Sequence, residues 1–458
     1  MARAKRKTQY VCQECGADYP KWAGRCAACG TWNSLVEVHI APRQTASRSG
    51  LQQPASEPVA LAHVTTDTGA RRPIHLSEFD RVLGGGILPG AVMLLGGEPG
   101  IGKSTLLLQV AHRYAEMYGP VLYVSGEESP AQVRLRAERL KALSERIFIA
   151  GETDVSHVLH QIERIGPQLV IVDSIQTMAS ADIDGLPGSL TQVREAAAVF
   201  QRVAKEKGIP MFLVGHVTKQ GGLAGPKVLE HIVDVVLQFD GERYTQHRLL
   251  RTVKNRFGAT SELGLFEMTE AGLLPIADPS GALLAERPVG SPGSVVVSSQ
   301  EGSRALLVEI QALVGPAPFG GTPRRQVSGV DYSRTCIVLA VLERRNGLEL
   351  HTHDVYLNVA GGMRLEEPAA DLGIAVAIAS ALRGRPVDPE TVIFGEIGLA
   401  GEVRAVSYAE ARALEAVRLG FRRCLLPAGN ARGLKVPERL QLVPVTTVAE
   451  ALAAAMSA

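Results

Sequence analysis

The chain is short of aromatic side chains and of net charge. Aromatics make up 5% of its 458 residues, only two are tryptophan, and the formal net charge is +1. That balance excludes a uniformly polybasic or polyacidic binder, so affinity for a polyanion has to come from local patches. Long apolar runs are also missing. The segment 368–382 comes closest, but Pro368 and Asp371 interrupt it. A membrane-spanning helix needs about 20 apolar residues, so no membrane partner is expected. The basic start (Arg3, Lys5, Arg6, Lys7) leads into no apolar stretch, which argues against a secretory leader and for a cytoplasmic location. Cysteine is scarce. Cys336 and Cys424 stand alone in apolar runs and read as core residues, while the other four crowd together near the start.

Those four have the spacing C-x2-C-x10-C-x2-C, from Cys12 and Cys15 to Cys26 and Cys29. Two CxxC turns supply four thiolates for a tetrahedral Zn²⁺, and a site with no open position is structural rather than catalytic. Residues 1–40 are too few to hold a core without such a staple. Tyr19, Trp22 and Trp32 are expected to pack around the metal. Over residues 1–25, six basic side chains face Glu14 and Asp18, a local charge of +4 that suits either nucleic-acid contact or a solvated basic tail.

Residues 41–70 are rich in Ala, Pro, Gln, Ser and Thr and read as a linker. From 71 to 275, apolar strands alternate with helical patterns, which predicts an α/β domain with a mainly parallel sheet. A Pro/Gly-rich stretch at 276–293 marks a boundary, and 285–458 reads as a second, α+β domain.

The sharpest motif lies in the α/β domain. Gly97-Glu98-Pro99-Gly100-Ile101-Gly102-Lys103-Ser104, followed by Thr105, is a complete GxxxxGK[ST] loop between a strand and a helix. Its glycines let backbone N–H groups wrap an anion at a helix N-terminus. Lys103 is expected on the β- and γ-phosphates of ATP or ADP, and the Ser104 hydroxyl on Mg²⁺. Asp173 ends the apolar strand 169–173 and is the second expected Mg²⁺ ligand. Glu127 and Glu128 follow the strand 121–124; Glu127 is the expected base for the attacking water, with Glu128 its rival. His216 ends a further strand, as a γ-phosphate sensor or a structural histidine. Two loops at the same edge, 179–189 and 219–227 with Lys219 and Lys227, suit contact with a phosphate backbone.

This order of phosphate loop, Glu-ended strand, Asp-ended strand and polar strand end resembles the RecA-like ATPases. Lys254-Asn-Arg-Phe-Gly258 and the cysteine module in front extend the resemblance, over nearly the whole chain, to the RadA (Sms) family of bacterial DNA-repair proteins. The resemblance implies a DNA-dependent ATPase similar to the DnaB-type ring helicases. It implies a homo-hexamer on single-stranded and branched DNA, branch migration of recombination intermediates, and a RecA recombinase as a partner. It also implies that Lys254 and Arg256 complete the neighbouring subunit's site; surface ion pairing or direct DNA contact are the alternatives.

Residues from about 290 onward resemble the proteolytic domain of Lon. Pairing the motifs puts Ala369 in the place of the nucleophilic serine and Glu410 at or near that of the dyad lysine. Ser380 and Ser407 lie off the motif, so no peptide cleavage is expected. Arg304, Arg324, Arg325, Arg334, Arg344 and Arg345 form either a basic face or an ordinary solvated surface. A Lon-like protease and a signalling ATPase of the clock type are the competing readings. Ala369 opposes the first, the cysteine module and basic start the second.

Overall fold

The computed structural model describes residues 7–12, 18–28, 30–32, 34–40, 60, 70–183, 185–216, 226–241, 247–260, 262–318 and 322–456. They fall into two units, Met1–Pro275 and Ile276–Ala458.

In the cysteine module, β1 (Lys7–Cys12), β2 (Asp18–Tyr19) and β3 (Leu35–Ile40) pair antiparallel in the order β2-β1-β3. Cys12 and Cys26 are fully buried and pack with Leu35, Tyr10 and Tyr19. The Tyr19 hydroxyl lies 3.2 Å from the Cys26 Sγ. Cys15 and Cys29 lie outside the described residues. The expectation for the tryptophans fails: Trp22 is 57% and Trp32 69% exposed. Among the described residues the buried cluster is Cys12, Cys26 and Leu35, with Tyr10, Tyr19 and Ala23 packed against it.

The α/β domain follows from its patterning. Capped helices alternate with short runs of Val, Ile and Leu, and a buried run of that length makes a parallel strand. In chain order the elements are α1 (Ser77–Val82), β4 (Val92–Gly97), α2 (Lys103–Tyr118), β5 (Val121–Ser125), α3 (Pro130–Arg139), β6 (Ile147–Gly151), α4 (Val155–Ile165) and β7 (Leu169–Asp173). Then come α5 (Leu190–Lys207), β8 (Met211–His216), α6 (Pro226–Ile232), β9 (Val235–Asp240), β10 (His247–Asn255), β11 (Leu263–Thr269) and β12 (Gly272–Pro275). The nine strands order as β12-β11-β10-β9-β4-β8-β7-β5-β6. Those from β9 to β6 run parallel, and β10, β11 and β12 add antiparallel. Side chains alternate across the sheet. Met93 and Leu95 join one core with α2, and Val92 and Leu94 join the other with α4 and α5.

The second unit contains α7 (Pro279–Leu284), β13 (Ser294–Glu301), β14 (Arg304–Pro316), β15 (Arg325–Ser328), α8 (Tyr332–Asn346), β16 (His353–Val359) and α9 (Asp371–Arg383). It continues through β17 (Thr391–Ile393), β18 (Glu396–Ile397), β19 (Val403–Arg404), α10 (Ala409–Arg418), β20 (Arg423–Pro427), α11 (Ala428–Ala431), β21 (Gln441–Val445) and α12 (Val448–Ala455). Its mixed sheet orders as β15-β16-β14-β13-β17-β20-β21. The apolar α9 is buried from Asp371 to Ser380 against β13 and β14. Cys424 is a core residue whose thiol burial pushes up to about 12. Cys336, expected in the core, is only half-buried on α8.

Two buried ion pairs lock this unit. The Arg412 guanidinium, almost fully buried, donates to both carboxylate oxygens of Glu367. Arg334 donates to both oxygens of Asp371 at 2.5 and 2.6 Å, and Asp371 is 2% exposed. Burial raises the Asp371 pKa, and the Arg334 bonds offset only part of that rise. Arg334→Ala therefore strands a buried carboxylate, at a cost of about 3–5 kcal/mol. A pKa raised in the folded state means the protonated form is the one the fold tolerates. The destabilisation of the variant therefore shrinks as pH falls. Urea unfolding at neutral pH and at about pH 5 measures both effects.

Candidate functional site

Four neighbouring parallel strands, β4, β8, β7 and β5, aim their C-terminal ends at one cavity of about 330 Å³. Lys103, Ser104, Thr105, Glu127, Asp173 and His216 all line it. An open α/β sheet binds ligands at this edge.

The phosphate loop leaves β4 at Gly97 and enters α2 at Lys103. Two glycines there are required by space and by backbone. A Cβ on Gly97 would lie 2.5 Å from the Phe239 carbonyl oxygen. Gly102 has φ +117, and its Cβ would lie 2.6 Å from Met268. Lys103 is 4% exposed, and its Nζ donates to the carbonyls of Gly97 (2.8 Å) and Glu98 (2.9 Å). Burial lowers the Lys103 pKa, and Asp173, Glu127 and Glu98 oppose that shift by their charge. The ammonium thus sits folded back on its own loop, poised to exchange carbonyls for phosphate oxygens.

Asp173 ends β7 as expected. Its Oδ2 accepts a 2.6 Å hydrogen bond from the Tyr123 hydroxyl of the adjacent strand. Ser104 and Asp173 both line the cavity beside the phosphate loop. An all-oxygen set with one carboxylate, open towards a phosphate site, suits Mg²⁺.

The two glutamates after β5 are separated by their partners. The Ser125 hydroxyl ties down the Glu128 backbone, with bonds of 2.8 and 3.0 Å to its O and N. The Glu128 carboxylate is held bidentate by Arg136 at 2.6 and 2.7 Å. Glu127 points elsewhere: its Oε1 accepts from Ser174 Oγ at 2.6 Å and lies 3.0 Å from His216 Nε2. Burial raises the Glu127 pKa, but the bonds from Ser174 and His216 outweigh it and leave the carboxyl below its ordinary value. The opposite ring nitrogen, Nδ1, is 3.4 Å from Lys103 Nζ. An ammonium can only donate, so Nδ1 accepts and Nε2 carries the hydrogen given to Glu127. His216 thus bridges the lysine of the phosphate loop and the glutamate.

Lys254 and Arg256 do not line the cavity. Lys254 Nζ donates to the carbonyls of Glu230 and Val233 at the end of α6. Arg256 lies 3.6 Å from Asp234, a buried carboxylate that also takes 2.6 Å from Lys205. In the expected loop 179–189, of which Asp184 lies outside the described residues, the chain is held from one side. The buried Gln192 side chain bonds Ser180, Ile183 and Gly185, and leaves Leu186 81% exposed. Residues 217–225, which hold Lys219, lie outside the described residues.

In the second unit Ala369 is 2% exposed and Glu410 is exposed on α10. Ser380 Oγ is spent inside the fold: it accepts from Gly293 N and donates to Arg385 O. Arg325 and Arg334 also bond internally, to His353 and Leu350 carbonyls and to Asp371, which removes them from a free basic face.

Tyr123, Ser174, Arg136, Gln192 and Asp234 were not legible as site residues. Ser174 alone had a signal, as the residue directly after the strand-ending Asp173.

Three family models match segments of the chain. An AAA domain model matches residues 56–222, a rubredoxin metal binding domain model 10–37, and the model for the ChlI subunit of Mg-chelatase 328–430. Among solved structures, a KaiC-like protein from Pyrococcus horikoshii aligns at 22% identity and TM-score 0.38, covering 45% of this chain and 99% of its own. A DNA repair protein RadA of Halalkalibacterium halodurans is 49% identical over 451 residues, 98% of each chain. That of Bacillus subtilis is 49% identical over 452 residues, again 98% of each. The Listeria monocytogenes protein is 46% identical over 456 residues, the full length of both. With the phosphate loop and strand-end carboxylates in one cavity and such likeness end to end, the chain belongs to the RadA family of DNA repair proteins.

Proposed function

We propose that the chain is a DNA-dependent ATPase that assembles as a ring, a homo-hexamer, on single-stranded and branched DNA and drives branch migration in recombination and repair. The observation that carries this reading is the division of cations. Lys103 sits inside the cavity, while Lys254 on β10 and Arg256 just after it lie outside it, bonded to Glu230 and Val233 and paired with Asp234.

In the proposed mechanism, the loop from Gly97 to Thr105 and the Lys103 ammonium bind the ATP phosphates. Ser104 and Asp173 would hold Mg²⁺, which would supply charge neutralisation at the phosphates. Glu127 orients the attacking water and accepts its proton, and Ser174 and His216 hold the carboxylate in place for that role. Lys254 or Arg256 of a neighbouring subunit stabilises charge on the transferring phosphoryl group. Supply of this cation in trans makes turnover depend on assembly. The loops around 179–189 and 219–227 hold the DNA backbone, in contacts that are sequence-independent and salt-sensitive. A RecA recombinase is a partner on this reading, and the four-cysteine module carries Zn²⁺. The second unit has no serine in the nucleophile's place and no lysine to activate one. It serves assembly or DNA contact, and no peptide cleavage is expected.

Lys254→Ala is expected to retain ATP binding and lose turnover by up to about 10³-fold. Mixing it with Glu127→Gln subunits tests the trans role. Each variant supplies what the other lacks, so mixed rings should recover hydrolysis. No recovery places Lys254 in its own subunit's chemistry. For the motor itself, a labelled four-way junction should be resolved with ATP and not with a non-hydrolysable analogue.

A further inference from the structure

The chain's only two tryptophans both lie in the cysteine module, and both are largely exposed, Trp22 at 57% and Trp32 at 69%. Exposed indoles are costly in water, and a fold that presents two together has a use for them. They share one spot. A Cβ on Gly24 would lie 3.7 Å from Trp22 Cη2 and 3.8 Å from Trp32 Cζ3, so both rings border the same glycine. The platform is built rather than loose. Arg25 and Trp32 pair across a small hairpin, closed by Cys26 N to Thr31 O at 2.9 Å and Gly30 N to Cys26 O at 2.8 Å. The Arg25 guanidinium lies over the Trp32 ring, 5.8 Å from its centroid, and its Nε donates to the Gly30 carbonyl at 2.7 Å. Lys21, next to Trp22, is exposed too.

Two largely exposed indoles, Trp32 covered on one side by Arg25, with cations beside them match one ligand chemistry: an unpaired nucleic-acid strand, with bases stacked on the free indole faces and phosphates on the cations. The local charge over residues 1–25 has the complementary sign. We infer that Trp22 and Trp32, with Lys21 and Arg25, form a base-stacking platform for single-stranded DNA. It is separate from the loops of the ATPase domain, and the zinc knuckle holds it in shape. Stacking is indifferent to base identity, so the platform grips any exposed single strand. This inference rests on the DNA reading of the preceding section.

The absence of other tryptophans makes the test specific. Indole fluorescence of the full-length, zinc-loaded protein reports this platform alone. Titration with oligo(dT) should quench it, while the anisotropy of a labelled oligo(dT) reports binding by the whole protein. Trp22→Ala/Trp32→Ala should weaken oligo(dT) binding by about tenfold or more. Trp22→Phe/Trp32→Phe should keep most of the affinity, because a phenyl face still stacks. Lys21→Ala/Arg25→Ala should flatten the salt dependence, which the indole variants leave unchanged. Tight oligo(dT) binding with unquenched fluorescence, and an alanine variant that binds like the parent, would overturn this inference alone and mark the indoles as anchors for a protein partner. No oligo(dT) binding by the parent would overturn the DNA reading as well.

Discussion

Glu127→Gln is expected to lower the ATP turnover number by about 10²–10⁴-fold while ATP still binds, because the amide keeps the shape of the carboxylate and loses its basicity. The neighbour Glu128 is the informative control. Its carboxylate is bound bidentate by Arg136, so it is already neutralised and fixed away from a water-activating role. Glu127 has one oxygen organised by Ser174 and His216 and a carboxyl held below its ordinary value, so it is ionised at neutral pH. Glu128→Gln should therefore cost far less in turnover. It should act mainly on the stability of the turn after β5, through the freed Arg136. Single-turnover hydrolysis of radiolabelled ATP by both variants decides the assignment. A collapse in Glu128→Gln with normal turnover in Glu127→Gln would reverse the roles.

Lys103→Ala is expected to remove both tight nucleotide binding and hydrolysis, with a loss in turnover of about 10²–10³-fold. The reason is the buried setting. The ammonium is desolvated in the cavity and held by two loop carbonyls, so it is preorganised for phosphate oxygens and meets little competition from water. The loop carbonyls of Gly97 and Glu98 lose their donor in this variant, which also loosens the cradle. Isothermal titration with ATP and ADP, next to steady-state hydrolysis, measures the two losses. Arginine at the same place should not restore activity, since a planar fork does not fit a site built for a compact point charge.

The parts of this site that could be read from the sequence are those whose chemistry is contiguous. The phosphate loop is one unbroken string, and Asp173 and Glu127 are marked by sitting where an apolar strand stops. His216 stood out as a polar strand end, but which partners tune the carboxylates could not be read. Ser174, His216 and Tyr123 meet their carboxylates only because β7, β8 and β5 lie side by side, and that strand order is fixed by packing of the whole sheet. Likewise Arg136 reaches Glu128 from the last turn of α3, and no local pattern pairs them. The tryptophans show the opposite error. Apolar side chains in a small module invite an inward placement, yet the described cluster is two cysteines and Leu35 with Tyr10, Tyr19 and Ala23 against it, and both indoles are largely exposed. In the second unit the α+β class was legible from its apolar runs. The buried Arg412–Glu367 and Arg334–Asp371 pairs were not, since a charged residue in sequence looks solvated until its partner is brought to it.

The central claim is that hydrolysis in the cavity is coupled to DNA. The most direct measurement is steady-state ATP hydrolysis by the purified protein, with and without single-stranded DNA, over a salt series. The account predicts strong stimulation at low salt that fades as salt rises, since the coupling runs through phosphate contacts. Hydrolysis that is equally fast with and without DNA at every salt concentration would contradict it.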